Sequence, residues 1–341
     1  MSHLRVLSPG LHTTVQDLGR FGYQEQGVPV AGMLDPVALR LANALLGNPS
    51  GEAGLEVYAF GPGLAVESES VRLAACGPVR LTLTRDRETT SLAAGRSHLL
   101  RRGDVLAVGA VAGAMVAVLA VEGGFDLPSV MGSLSTYTRS AIGPLGGKPL
   151  SEGMLLPLRR ASAAARAERA LAAAFDHGAG PVRVMPGPQA DCFTDKAMTD
   201  FLSAEYVVDQ AADRMGLRLI GPKLTHRGEA GIASEGLVSG CIQVPGDGQP
   251  ILLLADHQTV GGYAKIATVI SADLARVGRA APGTILRFTA VTQAQAEAAL
   301  HESERSVRAA VDGMIDPGGG LDLVALYSAN LVSGIVSAEA S

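Results

Sequence analysis

The sequence predicts a mainly β protein with a few helices, arranged as β-sandwich or β-barrel modules in tandem. Three observations carry that expectation. Short apolar runs punctuated by Gly, Pro, Asp or Ser recur through most of the chain, at 4–7, 71–75, 79–84, 251–254 and 285–288. Such spacing belongs to sandwiches and barrels rather than to repeating βαβ units. The 341 residues amount to about twice a common domain length of roughly 150, so two cores are expected. Three short patterns also return in the same order: Arg5-Val-Leu-Ser-Pro-Gly as Arg183-Val-Met-Pro-Gly, Phe60-Gly-Pro-Gly-Leu as Ile220-Gly-Pro-Lys-Leu, and Gly103-Asp-Val-Leu as Gly283-Thr-Ile-Leu. Internal similarity of this kind points to two related units.

The chain opens on a strand running into a Pro-Gly turn, without the apolar stretch of an export signal. Asp35 as N-cap, Pro36 at the first helical position and Gly47 just past the end bracket a helix over 37–46. Residues 105–121 are uncharged, yet they are shorter than the ~20 residues of a membrane span and Gly109 and Gly113 interrupt them. They are expected as two buried strands, 105–108 and 115–121. The Ala-rich stretch before Pro181 favours helix and divides the modules. Thr292-x-x-Gln295 is a capping box for a last helix reaching Gly313. The expected organisation is an N-terminal β-barrel module over 1–160, an Ala-rich linker helix over 161–180, a C-terminal β-barrel module over 181–290, and a helix and tail over 291–341.

Several chemistries are absent. A net charge of −5 with no dense basic stripe gives no footprint for nucleic acid. Cys76, Cys192 and Cys241 lie far apart and form no CxxC pair, so no disulfide framework or zinc knuckle is expected and a reducing cytoplasm fits. The stretch 143–149, GPLGGKP, fails as a phosphate loop because Ile142 and Pro149 replace the required Gly and Ser or Thr. No GxSxG or HExxH pattern occurs, and no two histidines are spaced i, i+2 or i, i+4, which removes the serine-hydrolase and zinc-hydrolase readings. No metal is expected, and no membrane partner.

What remains is polar chemistry in loops. The densest run, 256–265, follows an apolar strand and holds Asp256, Gln258, Gly261, Gly262, Tyr263 and Lys265. Asp256 supplies a base, Gln258 an amide able to pair with a lactam edge, Tyr263 a phenol and Lys265 a cation for developing negative charge. The glycine pair allows close backbone approach or positive φ. A capped turn with its Asp on backbone N–H groups would use the same residues. A second run holds Gln16, Asp17 and Arg20; the arginine clamps an anion, or pairs with Asp17 to close a turn. Glu235 and Gln243 flank a Ser-Gly turn, as in a hairpin with a polar tip, and Ser133 belongs to a Gly/Ser turn suited to an oxyanion nest.

A further set of motifs occurs in a family order: Thr13-Thr-Val-Gln-Asp-Leu-Gly-Arg20, Gly27-Val-Pro-x-x-Gly-x-x-Asp35, Ala42-Asn-x-Leu-x-Gly-Asn48, Leu55-Glu56, Gly61-Pro62, Arg214-Met-Gly216, Ser234-Glu-Gly236, Ile242-Gln-Val-Pro245, Asp247-Gly-Gln-Pro-Ile251 and Gly261-Gly-Tyr263. Together they resemble the KipA-type family, which includes the C subunit of 5-oxoprolinase, allophanate hydrolase subunit 2 and the carboxyltransferase domain of urea carboxylase. The resemblance runs from about residue 4 to residue 288. It implies tandem cyclophilin-like β-barrel modules, a partner in the KipI-type B subunit of 5-oxoprolinase and a third component, the LamB/YcsF-like A subunit. The family pattern has Arg at positions 257 and 134 and Asn at 213, where this chain has His257, Leu134 and Asp213. His257 would recover charge near its unperturbed pKa of ~6.5.

The function these implications favour is a subunit of an ATP-dependent 5-oxoprolinase that opens the lactam to glutamate. In that reading Asp256, Lys265 and Tyr263 are catalytic, and Gln258, Gln243, Arg20, Gln16, Asp17, Glu235, Gly261, Gly262 and Ser133 bind substrate. ATP with Mg2+ would bind outside a P-loop or on a partner. The alternatives are carboxyl transfer to urea or another amide, with biotin on a separate carrier, and a non-catalytic regulator that binds a KipI-like kinase inhibitor.

Overall fold

The computed structural model describes residues 2–318. Expectations for the tail beyond 318 lie outside the described residues. The N-terminal module is two antiparallel sheets facing each other across a common core. One has six strands, in the order Leu155–Pro157, His3–Ser8, Gly63–Val66, Val105–Val111, Val79–Arg85 and Glu88–Leu92. The other has five: His12–Gln16, Gly54–Tyr58, Val116–Val121, Ser70–Cys76 and Ser97–Arg101. Leu4, Val6, Leu55, Val57, Leu73, Leu81 and Leu106 fill the space between them.

The apolar stretch 105–121 becomes two strands in different sheets. Every residue of Val116–Val121 is buried because the strand is covered on both faces. Ala117, Leu119 and Val121 point into the barrel, whereas Val118 and Ala120 meet the helix Pro36–Leu46. A strand covered on both sides needs no polar alternation, which is why it reads as one apolar run. The helix itself starts as the sequence predicts: the Asp35 carboxylate accepts from the Ala38 N–H at 2.9 Å, and Gly47 ends it at φ +70°.

The C-terminal module is an eight-stranded sheet that closes on itself. Its order is Ile285–Leu286, Tyr206–Val208, Gly216–Ile220, Ile251–Leu253, Cys241–Gln243, Lys265–Val269, Val182–Pro186 and Phe288–Ala290. The first and last strands are one continuous segment broken only at Arg287. It pairs with Tyr206 and Val207 on one side and runs parallel to Val182–Val184 on the other, so both edges are joined. A separate two-stranded sheet, Gly231–Gly236 with Val260–Tyr263, stands off this barrel. Two of the three sequence echoes have a structural basis. The first marks the strand that opens each module, and Gly103 and Gly283 make left-handed turns (φ +89° and +85°) two residues before a strand. The second does not, since Gly61-Pro62 precedes a strand and Gly221-Pro222 follows one.

The linker helix expected over 161–180 does not form. That stretch is extended and lies against the first module, held by the buried Arg72. Its guanidinium donates to the Ala164 and Arg166 carbonyls at 2.9 and 3.0 Å and pairs with Glu168 and Glu122. Alanine's helix preference is a fraction of a kcal/mol per residue, and a buried cation that needs these carbonyls overrides it. The last helix, Gln293–Asp312, has the predicted capping box and packs on Pro36–Leu46.

The modules share backbone contacts. Ala31 N–H donates to the Ala255 carbonyl at 3.1 Å and Met115 N–H to that of Arg279 at 2.8 Å. At Gly278 a Cβ would lie 2.2 Å from the Leu34 carbonyl oxygen, so only glycine permits this approach. Among the described residues, no helix is long and apolar enough to cross a membrane.

Candidate functional site between the modules

A cavity of about 270 Å3 opens where the modules meet. Leu11, His12, Tyr58, Thr138 and Arg139 line it from the first module, and Asp213, Arg214, Met215 and Asp256 from the second. Module boundaries of this kind are common ligand sites because both sides supply polar groups to one concavity.

Arg214 organises its floor. The guanidinium grips Asp256 through both oxygens, Nε to Oδ2 at 2.9 Å and Nη2 to Oδ1 at 2.8 Å. Nη1 makes a close ion pair with Glu56, and Nη2 also donates to the Gly32 carbonyl at 2.8 Å. All three side chains are buried. Burial disfavours the Arg214 cation, but Asp256 and Glu56 more than offset it and its pKa rises. Burial also raises the Glu56 pKa, against the opposing pull of Arg214 and the Leu34 N–H bond at 2.6 Å. Two carboxylates share one cation here, which adds to the reluctance of Glu56 to ionise. Neither Glu56 nor Arg214 carries a role in the sequence reading, although both lie in motifs behind the family resemblance. What makes them a site is contact across 158 residues of chain.

Asp256, expected as a general base, is therefore a clamped counter-ion. A carboxylate bound bidentately has both oxygens engaged by the guanidinium. His12 suits that role better. Burial lowers its pKa first and Arg214 lowers it further, with Asp256 opposing, so the imidazole is neutral at pH 7. It lines the cavity and makes no side-chain hydrogen bond among the described residues. Tyr58 donates to the Ala212 carbonyl at 3.3 Å, and burial with Asp213 nearby raises its pKa.

The run at 16–20 meets the loop 130–136, but as scaffolding. Asp17 accepts from Ser133 Oγ at 2.7 Å, the Leu134 N–H at 2.7 Å, the Gly19 N–H at 2.9 Å and the Ser135 hydroxyl. The anion in the expected Gly/Ser nest is thus the protein's own carboxylate. Arg20 is buried, donating to the Val130 and Ser135 carbonyls at 3.0 and 2.7 Å, and forms no ion pair with Asp17. Gln16 holds the Thr136 carbonyl at 2.9 Å. Leu134 packs in the first module's core, and His257 is buried with its pKa lowered by that burial, so it recovers no charge near neutrality.

Lys265 does not share the cavity with Asp256. It is buried in the second barrel and pairs closely with Glu235, which also accepts from Gln189 Nε2 at 2.6 Å. Gln258 Nε2 reaches Gln243 at 3.4 Å nearby, and Tyr263 is exposed. A Cβ on Gly261 would stand 2.8 Å from Gln243 Nε2, so close approach is what this glycine permits; neither Gly261 nor Gly262 has positive φ. Glu235 and Gln243 do not flank one hairpin tip, because Glu235 pairs across to Gly261 while Gln243 pairs with Ile251. No group of three or more His, Cys, Asp or Glu side chains is gathered for a metal ion among the described residues.

Two barrel modules with a buried Arg-carboxylate cluster and a cavity at their seam define a two-part β-barrel domain. Residues 26–290 match the carboxyltransferase domain, subdomain A and B, and the chain belongs to that family. It is 33% identical over 309 residues to the C subunit of 5-oxoprolinase from Escherichia coli (strain K12), covering 89% of this chain and 96% of that protein. It is 30% identical over 336 residues to the urea amidolyase of Lachancea kluyveri, covering 91% of this chain but 18% of that protein. The crystal structure of Kluyveromyces lactis urea carboxylase superposes with a TM-score of 0.80 at 30% identity, over 90% of this chain and 29% of the larger one.

Proposed function

We propose that this chain is the C subunit of an ATP-dependent 5-oxoprolinase, acting with a KipI-type B subunit and a LamB/YcsF-like A subunit to open 5-oxoproline to glutamate in the cytoplasm. The observation that carries the reading is the likeness to the C subunit of 5-oxoprolinase from Escherichia coli, 33% identical over 309 residues and nearly the whole of that protein. A cavity of about 270 Å3 suits a small lactam. ATP with its Mg2+ is better placed on a partner, since Ile142 and Pro149 exclude a P-loop from the glycine-rich turn. Within the cavity, His12 moves a proton at the amide, Tyr58 and Thr138 offer hydroxyls to it, and the Arg214 cluster fixes the floor.

The test is 5-oxoproline-dependent ATP hydrolysis by the three subunits together. Omitting this chain should abolish it, and Asp256→Asn should lower it at least about tenfold by loosening Arg214. Turnover that survives omission would refute the assignment. The superposition on urea carboxylase supports a second reading, carboxyl transfer to an amide nitrogen from biotin on a separate carrier. Carrier-dependent carboxylation of urea without 5-oxoproline turnover would select it. Tight binding of a KipI-like partner with neither activity would select a regulator.

A further inference from the structure

The cavity contains two guanidinium groups in opposite electrostatic states. Arg214 has two carboxylates, Glu56 and Asp256, against its single positive charge and also donates to the Gly32 carbonyl, so it carries no uncompensated charge for a ligand anion. Arg139 stands at the rim, 58% exposed, and among the described residues its one charged partner is Asp213, 3.5 Å away on the other module. Nothing else among the lining residues offers a positive charge, since His12 is neutral at pH 7.

The two members of the rim pair are not equally mobile. Asp213 Oδ1 accepts from the Met215 N–H at 2.7 Å and the Gly216 N–H at 3.3 Å, which pins the carboxylate in its own turn and leaves Oδ2 toward Arg139. Arg139 rises from a short turn, Thr138–Ser140, whose backbone is fixed by paired bonds between Tyr137 and Ile142. Its long side chain has no other hydrogen bond among the described residues. A single long contact between exposed groups contributes at most about 1 kcal/mol, whereas a carboxylate presented edge-on to a guanidinium makes two charge-assisted bonds. A ligand carboxylate is therefore the better partner.

We infer that Arg139 is the residue that binds the substrate's carboxylate, and that Asp213 is an internal competitor for the same guanidinium. The inference rests on the 5-oxoprolinase reading for its substrate and sharpens it: the site takes a small cyclic amide bearing a carboxylate and disfavours the neutral amide alone. Arg139 is a specificity residue, with the amide left to His12 and the hydroxyls.

The experiment titrates the full chain with 5-oxoproline and with 2-pyrrolidinone, the same lactam without its carboxylate, and repeats the 5-oxoproline kinetics in the three-subunit enzyme. Arg139→Gln should weaken 5-oxoproline at least about tenfold, raising KM with kcat little changed, and leave 2-pyrrolidinone unaffected. Asp213→Asn keeps the turn and removes the competing charge, so it should tighten 5-oxoproline about two- to fivefold. In the double variant that gain should vanish. An unchanged affinity in Arg139→Gln, an equal loss for both ligands, or no tightening in Asp213→Asn overturns the inference. Absence of 5-oxoproline turnover in the wild-type three-subunit enzyme refutes the function instead, and the titration still judges the exchange.

Discussion

The two ends of the segment 256–265 have different fates. Asp256 enters a cluster with Arg214 and Glu56 at the seam of the modules, with two acids on one cation. Lys265, nine residues on, is buried inside the second barrel and pairs one-to-one with Glu235, whose side chain is 43% exposed. Between them, Val260–Tyr263 leaves the barrel wall to pair with Gly231–Gly236, and the chain rejoins the main sheet only at Lys265. An excursion of that kind turns sequence neighbours into occupants of separate sites. It also separates their electrostatics, because one end is sealed from water and the other is partly screened by it.

The sharpest break in this contrast is Arg214→Ala. It leaves Glu56 and Asp256 buried without a cation, and the expected loss is about 3–5 kcal/mol. The sign with pH follows from Glu56, whose folded pKa is already raised. A raised carboxyl pKa favours the folded state as protons are taken up, so the deficit should be largest at pH 8 and shrink toward pH 5. Denaturant unfolding at both pH values measures it. Equal midpoints for variant and wild type at pH 8 would mean the cluster does not hold the seam.

Asp35 calibrates that result, being a buried carboxylate near the same seam whose nearest arginine stands farther off. Its neighbours are His177 at 3.4 Å and Arg279 at 4.0 Å. Burial raises its pKa to about 6, and burial lowers that of His177 to about 4. The Asp35 shift makes the fold gain stability as pH falls from about 6 towards 4, and the His177 shift makes it lose stability between about 6.5 and 4. The two nearly cancel in the wild type. Asp35→Asn, which keeps the N-cap, should uncover the histidine alone: more stable than wild type at pH 8 by at most about 3 kcal/mol, with the advantage gone near pH 4. A thermal unfolding series across that range that runs parallel to wild type would contradict the pairing.

Much of the frame is legible in the sequence and the electrostatic site is not, for one physical reason. Asp35, Pro36 and Gly47, the Thr292 box and the punctuated strands are local, each stated by residues within a few positions of one another. The failed linker helix shows the limit: alanines favour helix, but the deciding group is Arg72, nearly a hundred residues away. The cavity is the same case. Asp256 can be found from its polar loop, yet its role depends on Arg214 and Glu56 from elsewhere in the chain. The expected union of Asp256 with Lys265 treats spacing along a loop as spacing in space. Likewise Asp17 and Ser133, polar residues more than a hundred positions apart, meet and bond each other, while Arg20 is spent on the Val130 and Ser135 carbonyls.

Gly261→Ala probes the outer part of the segment. The new Cβ would lie 2.8 Å from both Gln243 Nε2 and Leu237 Cδ1, so the ends of these two buried side chains must give way. Overpacking of this size costs about 1–3 kcal/mol. Because the strain falls on the Lys265 side, 5-oxoproline affinity should change much less than stability. A titration in which affinity collapses while the unfolding midpoint holds would place this end in the substrate site.

The smallest expected effect is the most diagnostic. Glu235→Gln preserves the shape and a hydrogen-bonding side chain beside Lys265 and Gln189 but removes the charge. The bond from Lys265 lowers the Glu235 pKa, so its contribution is present above the ordinary glutamate range and disappears as pH falls through the folded value. Partial exposure screens the pair, and the drop in unfolding midpoint should be slight at pH 7, smaller still in high salt, and should fade as pH is lowered beneath the ordinary glutamate range. Turnover in the three-subunit enzyme should stay near wild type, against the tenfold loss for Asp256→Asn. If Glu235→Gln instead reduces turnover as severely as Asp256→Asn, the two ends act on one substrate despite their separation, and the cavity at the seam is only half of the active site.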